Sequence, residues 1–178
     1  MELVLTELPG LQLIRPHIFK DARGSFVKTF HADQFRELGL DFEPREEFFS
    51  TSAKGVLRGM HFQLPPAALA KLVYCIVGRV LDVVLDLRKK SPTFGRNYVH
   101  ELNATNCEML FIPVGFAHGF LALEDNATMV YQTSTVHSPP HDAGVRWDSF
   151  GFDWPVKSPT LSERDKKLPA LRELNSPF

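Results

Sequence analysis

Apolar residues fall along this chain in short runs rich in Val, Leu, Ile and Phe, separated by turn signals at Pro9-Gly10, Asp21 to Gly24, Pro65-Pro66 and Pro92 to Gly95. Short strands punctuated in this way predict an all-β antiparallel sandwich or barrel. Over Leu81 to Arg88 the alternation can be read face by face, because successive strand side chains point to opposite sides. Leu81, Val83, Leu85 and Leu87 make one apolar face; Val80, Asp82, Val84 and Asp86 make the other. That second face either lines a partly polar cavity or faces water, as one side of an antiparallel sheet commonly does. Ala127, Met129, Tyr131, Thr133 and Thr135 share a face of a later strand. Tyr131 is expected to point into the same lumen, and a barrel mouth is a common place for a small-molecule pocket. One segment reads as helix: Ala32 to Leu38 sets Phe35 and Leu38 three apart after Asp33, over about two turns. It is expected on the outside of the barrel. The C-terminal third is Pro-rich and less periodic, which predicts short turns or helices laid over the barrel mouth.

No internal repeat and no Gly/Ser linker divides the chain, so one domain spanning residues 1–178 is expected. Twenty Lys and Arg stand against 21 Asp and Glu, a net charge of −1, and no basic stripe marks a nucleic-acid partner. The longest apolar run, Leu72 to Leu87, is broken by Arg79, Asp82 and Asp86, too soon for a membrane span of about 20 residues. The start, MELVLTELPG, carries Glu2 and Glu7 and no basic leader, so a cytoplasmic location is expected. Cys75 and Cys107 lie in apolar surroundings without metal or redox spacing, and read as buried, reduced thiols.

The densest group of chemically capable side chains is Gly55 to Gln63, a strand with Arg58, His61 and Gln63 among apolar neighbours. Burying such groups is costly unless they serve a site or find partners. Alternation puts Gly59, His61 and Gln63 on one face and Arg58 on the other, so Arg58 and His61 converge only through a bulge at Gly59. A histidine within a strand is also commonly a hydrogen-bonded core residue. Lys71 opens the next apolar strand, where it either serves a site or snorkels to the surface. Gly115 to Phe120 flanks His118 with aromatics that stack on a ring or fill the core. His61 and His118 raise a metal reading, since metal-binding cupin barrels use a His-x-His pair with a carboxylate and a distant histidine. Position 63 is Gln and no Glu follows closely, so no metal site is expected.

Taken together, GVLRGMHFQ (55–63), Lys71, GRVLDVVLDLRKKSPTFG (78–95), IPVGFAHGF (112–120), VYQTS (130–134) and LSERD (161–165) resemble the dTDP-4-dehydrorhamnose 3,5-epimerase family in order and spacing. The resemblance runs from DARGSF (21–26) to Asp165. It implies a cupin-like jelly-roll barrel that forms homodimers, needs no cofactor, and acts on a nucleotide-diphosphate sugar in deoxysugar biosynthesis. It implies His61 as the base, Asp165 as the carboxylate that orients it, Tyr131 as the opposite-face acid, and Lys71, with Arg58, as stabilisers of an enolate oxygen. Arg23 would hold the diphosphate. Phe26 and Phe120 would line the sugar or base pocket, and Asp82 would position Tyr131 or Lys71. Gln63 and His118 complete the implied substrate contacts.

Two stretches depart from the family pattern. The usual acidic residue after RGxFx is Lys28, and the segment that normally reads roughly Gln-Asp-Asn-His-Ser is Glu46-Glu47-Phe48-Phe49-Ser50. Contact positions such as Lys28, Glu46 and Phe48 have therefore changed type while the catalytic set is retained. The alternative readings are a sugar-nucleotide 3,4-ketoisomerase, a metal-dependent cupin enzyme, and a non-catalytic sugar-binding barrel. Retention of Tyr131 and Lys71 opposite His61 argues against the first, Gln63 against the metal enzyme, and the presence of both base and acid against the last.

Overall fold

The structure, a computed structural model, describes residues 1–178. Two antiparallel sheets face each other as a jelly-roll barrel. The six-stranded sheet contains, in spatial order, β1 (Glu2–Leu5), β2 (Gln12–Arg15), β10 (Met109–Ile112), β7 (Lys71–Val77), β12 (Ala127–Thr133) and β5 (Glu46–Ser52). The five-stranded sheet contains β13 (Asp142–Gly144), β6 (Leu57–Gln63), β11 (Phe116–Ala122), β8 (Arg79–Asp86) and β9 (Asn97–Asn103). A separate hairpin joins β3 (Ile18–Asp21) to β4 (Gly24–Val27).

Alternation sorts side chains into an interior and two outer layers. Val73, Cys75, Val80, Val84, Phe120, Met129 and Tyr131 meet between the sheets. On the outer face of the six-stranded sheet, Leu72, Tyr74 and Val130 are covered by Phe35 from the single helix, α1 (Ala32–Glu37). The predicted helix thus appears where expected, with Leu38 as its C-cap. The C-terminal third lies mainly over the outer face of the five-stranded sheet, not over the barrel mouth: Phe150 and Trp154 pack on Val83, Leu85 and Leu87. Leucines and valines that alternate on β8 need cover on both sides, and these aromatics supply it on the outside. From this region, past β12, only His137, Asp142 and the stretch from Thr160 to Asp165 reach the open end of the barrel.

The open question about β8 resolves toward the interior: Val80, Asp82 and Val84 are fully buried. The β12 face ends at Thr133, so Thr135 lies past the strand. Cys75 is buried as expected, but Cys107 is only half-buried, because it occupies a turn with φ of 52° between β9 and β10.

The register between β6 and β11 slips where the sequence called for it. His118 faces His61, yet Phe120 faces Arg58, so one extra residue of β6 is accommodated around Gly59. Glycine is required on both strands here. A Cβ on Gly59, whose φ is 139°, would lie 2.5 Å from the Gly119 Cα, and one on Gly119 would lie 2.7 Å from the Arg58 carbonyl oxygen. The slip turns Arg58 toward the same side as His61.

Candidate active site

A cavity of about 830 Å³ opens between the two sheets. From β6 of one sheet come Arg58, His61 and Gln63, and from β11 His118 and Phe120; from the other sheet come Lys71 on β7, Tyr131 and Thr133 on β12, and Glu46, Phe48 and Ser50 on β5. Leu161, Ser162, Arg164 and Asp165 close one side. The walls therefore face each other across the space that a ligand ring would fill.

His61 Nε2 lies 2.6 Å from Asp165 Oδ1, and Asp165 Oδ2 also accepts a hydrogen bond from the Gly59 backbone N–H at 3.4 Å. Burial lowers the His61 pKa, and this outweighs the opposing pull of the Asp165 carboxylate. The shift favours the neutral form of the ring, the form able to accept a proton. Burial pushes Asp165 up, but its bonds to His61 and Gly59 and the nearby charges hold it below the usual carboxylate range. The pair thus favours an ionised carboxylate beside a neutral imidazole.

Lys71 Nζ donates to the His61 carbonyl oxygen at 3.1 Å, which holds the ammonium inside the cavity instead of letting it snorkel. Burial brings its pKa down to about 8, with Asp142 and Asp82 acting against the shift. Tyr131 is raised well above the ordinary phenol range by burial, with the Ser50 hydrogen bond acting the other way. Its hydroxyl lies 3.1 Å from Ser50 Oγ, and its ring is stacked on Phe48 at 4.8 Å and 15°. Arg58 Nε donates to Ser52 Oγ at 3.0 Å and its Nη2 to the Thr51 carbonyl.

Other expected site residues fall into four groups. Gln63 lines the cavity but is also braced, donating to the Ala67 carbonyl at 2.8 Å and accepting from the Ser138 N–H at 2.6 Å. Asp82 lies beneath the cavity and partners His118, whose Nε2 is 2.8 Å from Asp82 Oδ2, not Tyr131 or Lys71. Glu46 accepts the His137 N–H at 2.7 Å at the rim. Arg23, Phe26 and Lys28 are not brought to the cavity of their own chain. Arg23 is paired with Asp21 at 2.5 Å on the exposed hairpin, and Phe26 and Lys28 are exposed on or beside β4.

Sequence reasoning placed Thr133 on the Tyr131 face without assigning it to the site, and missed Ser50 and the pair formed by Arg164 and Asp142, joined at 2.6 Å. The alternation of Glu46, Phe48 and Ser50 was a signal for Ser50. No pattern joins positions 142 and 164 before the fold is known. No three His, Cys, Asp or Glu side chains are grouped so as to hold a metal ion. No helix is long and apolar enough to cross a membrane.

The profile of the family described as dTDP-4-dehydrorhamnose 3,5-epimerase matches residues 5–173. The chain is 44% identical over 168 residues to the dTDP-4-dehydrorhamnose 3,5-epimerase of Shigella flexneri, covering 93% of each chain. Its structure is similar to that of the dTDP-6-deoxy-D-glucose-3,5-epimerase of Legionella pneumophila solved with dTDP-4-keto-L-rhamnose, with a TM-score of 0.93, 34% identity, and coverage of 98% of this chain and 94% of that one. It is also similar to a 3'-monoepimerase from Streptomyces bikiniensis in complex with dTDP-quinovose, with a TM-score of 0.89, 34% identity, and coverage of 94% and 86%.

Proposed function

The chain belongs to the dTDP-4-dehydrorhamnose 3,5-epimerase family, and from that premise we propose that it inverts C3, C5 or both in a dTDP-linked 4-keto-6-deoxyhexose during deoxysugar biosynthesis. The observation that carries this reading is the opposition of His61, backed by Asp165 on one wall, and Tyr131 on a strand of the facing sheet. A C4 carbonyl acidifies the hydrogens on C3 and C5. His61 takes one of them from one face of the sugar, and Tyr131 returns a proton from the other. Two-sidedness is the requirement for inversion, because a single group working on one face restores the starting centre.

Lys71, together with Arg58 on the cavity wall, stabilises the enolate oxygen that forms between these two steps, an electrostatic role worth several kcal/mol in comparable sites. The cycle uses these side chains alone. Phe48 and Phe120 offer apolar surface to the sugar or the base, while Glu46, Gln63 and His118 offer polar contacts.

We further propose that the protein works as a cytoplasmic homodimer. The β1 strand leaves one edge of its sheet unpaired with Leu5 exposed, and the nearby hairpin exposes Phe19 and Phe26. In such a dimer Arg23 would meet the substrate diphosphate in bidentate fashion, with Phe26 and Lys28 beside it.

NMR of the protein with dTDP-4-keto-6-deoxyglucose in D₂O, following C3 and C5 separately, tests the reading. Deuterium entering at one or both positions with inversion is the expected result. Loss of the substrate signal into a 3-keto isomer without inversion would replace it by a ketoisomerase reading.

A further inference from the structure

Inversion leaves the two acid–base groups in opposite states. The proton that His61 removes is not the one that Tyr131 delivers, so each turnover ends with one proton too many on His61 and one too few on Tyr131. His61 is half-buried at the cavity and can discharge to water. Tyr131 is 8% exposed, Phe48 covers one face of its ring, and the His118 ring abuts it edge-on at 6.2 Å. A phenolate left in that setting is poorly solvated and cannot act as an acid again until it regains a proton.

The phenol hydroxyl has one hydrogen-bond partner in the protein, Ser50 Oγ at 3.1 Å. Ser50 faces the same cavity, stands on an edge strand of the six-stranded sheet and is half-buried, and its hydroxyl makes no other hydrogen bond within the protein. For Tyr131 to deliver its proton to the sugar, its O–H must point into the cavity. Ser50 then serves as donor to the phenol oxygen, and its own lone pairs face outward to accept.

Resting on the epimerase reading above, we propose that Ser50 is the relay that reprotonates Tyr131 from solvent between turnovers. Tyr131 O–H gives its proton to the enolate carbon, which forms the new C–H bond and leaves a phenolate. Ser50 Oγ–H passes its proton to the phenolate as Oγ takes another from water. The proton released by His61 neutralises the hydroxide so formed, and the cycle closes with no net gain or loss. Ser50 acts through Tyr131 and is a positioning residue in this sense, not a group that touches the reacting carbon.

The test compares first and later turnovers by rapid quench, with dTDP-4-keto-6-deoxyglucose as the substrate. In Ser50→Ala the first inversion per site is expected at near wild-type rate, followed by a steady state slowed at least about tenfold, so that a burst of one product per site appears. The slow phase should carry a larger solvent deuterium isotope effect than wild type, and Ser50→Thr should restore the steady rate. Equal steady rates in Ser50→Ala and wild type would overturn the relay. So would a first turnover slowed as much as the steady state, since that is the mark of a lost alignment. If wild-type protein neither exchanges nor inverts this substrate, the epimerase reading itself falls and the relay with it.

Discussion

His61 Nε2 stands 2.6 Å from Asp165 Oδ1, although 104 residues separate the two in the chain. The contact joins an interior strand to a short 3-10 turn near the C-terminus, Asp165–Lys167. It ties the orientation of the His61 ring to the docking of the last segment. His61→Ala should remove solvent exchange and inversion by at least about 10³-fold while the far-UV spectrum is kept. Asp165→Asn should lower kcat roughly 10²-fold or more, since the neutral amide no longer fixes the ring or stabilises its cation.

In the proposed cycle the same pair sets the acid limb of the pH profile. A base must be neutral to accept, so kcat/KM falls as pH drops through the His61 pKa. Burial holds that inflection below the ordinary 6.5. Asp165 acts to raise it, so Asp165→Asn should move the inflection further down. An inflection that moves up in this variant would contradict the assignment.

Lys71 governs the opposite limb. In the proposed cycle it stabilises an enolate only as the ammonium, and burial brings its pKa down to about 8. Activity should therefore decline as pH rises through about 8. Lys71→Arg, whose guanidinium stays charged throughout, should abolish this decline even if the rate at pH 7 falls. A pH–rate series on the two proteins decides the matter.

Tyr131→Phe separates the half-reactions. In the proposed cycle His61 still removes and returns a proton on its own face, so deuterium should enter from D₂O while inversion drops at least about 10²-fold. Phe48→Ala makes a milder version of the same split. Parallel stacking of this kind contributes about 0.5–1.5 kcal/mol, and without it the phenol is less well held. The ratio of inversion to exchange should fall roughly three- to tenfold, which proton and deuterium NMR can read directly.

Gly59→Ala should damage fold and site together. The added Cβ would meet the Gly119 backbone at 2.5 Å in a conformation that L side chains rarely adopt. A loss of about 1–3 kcal/mol is expected in denaturant unfolding, with a larger loss of activity because His61 and Arg58 flank the slip.

Much of this architecture was legible before the fold was known, where a single strand carried the signal. The strict alternation of β8 put Asp82 and Val84 on one shared face, leaving only its direction to the fold, and the need for a bulge at Gly59 followed from the positions of Arg58 and His61. Contacts made through long loops left no such trace. That Asp82 would meet His118, and Arg164 meet Asp142, depends on strand order and on the path of the C-terminal segment. The hairpin carrying Arg23 and Phe26 is similarly silent, because its own strands determine only that it forms and not what it approaches.

The division of labour between strands has an evolutionary consequence. His61, Lys71 and Tyr131 stand on interior strands hydrogen-bonded on both sides, whereas Glu46, Phe48 and Ser50 occupy an edge strand with a neighbour on one side only. An outer strand tolerates replacement of its inward side chains with less disturbance to the ladder than an inner one does. Drift at position 46 can thus retune which sugar is accepted while Phe48 and Ser50 keep Tyr131 in its proposed proton chemistry, and a library centred on position 46 is the economical place to redirect the protein toward new substrates.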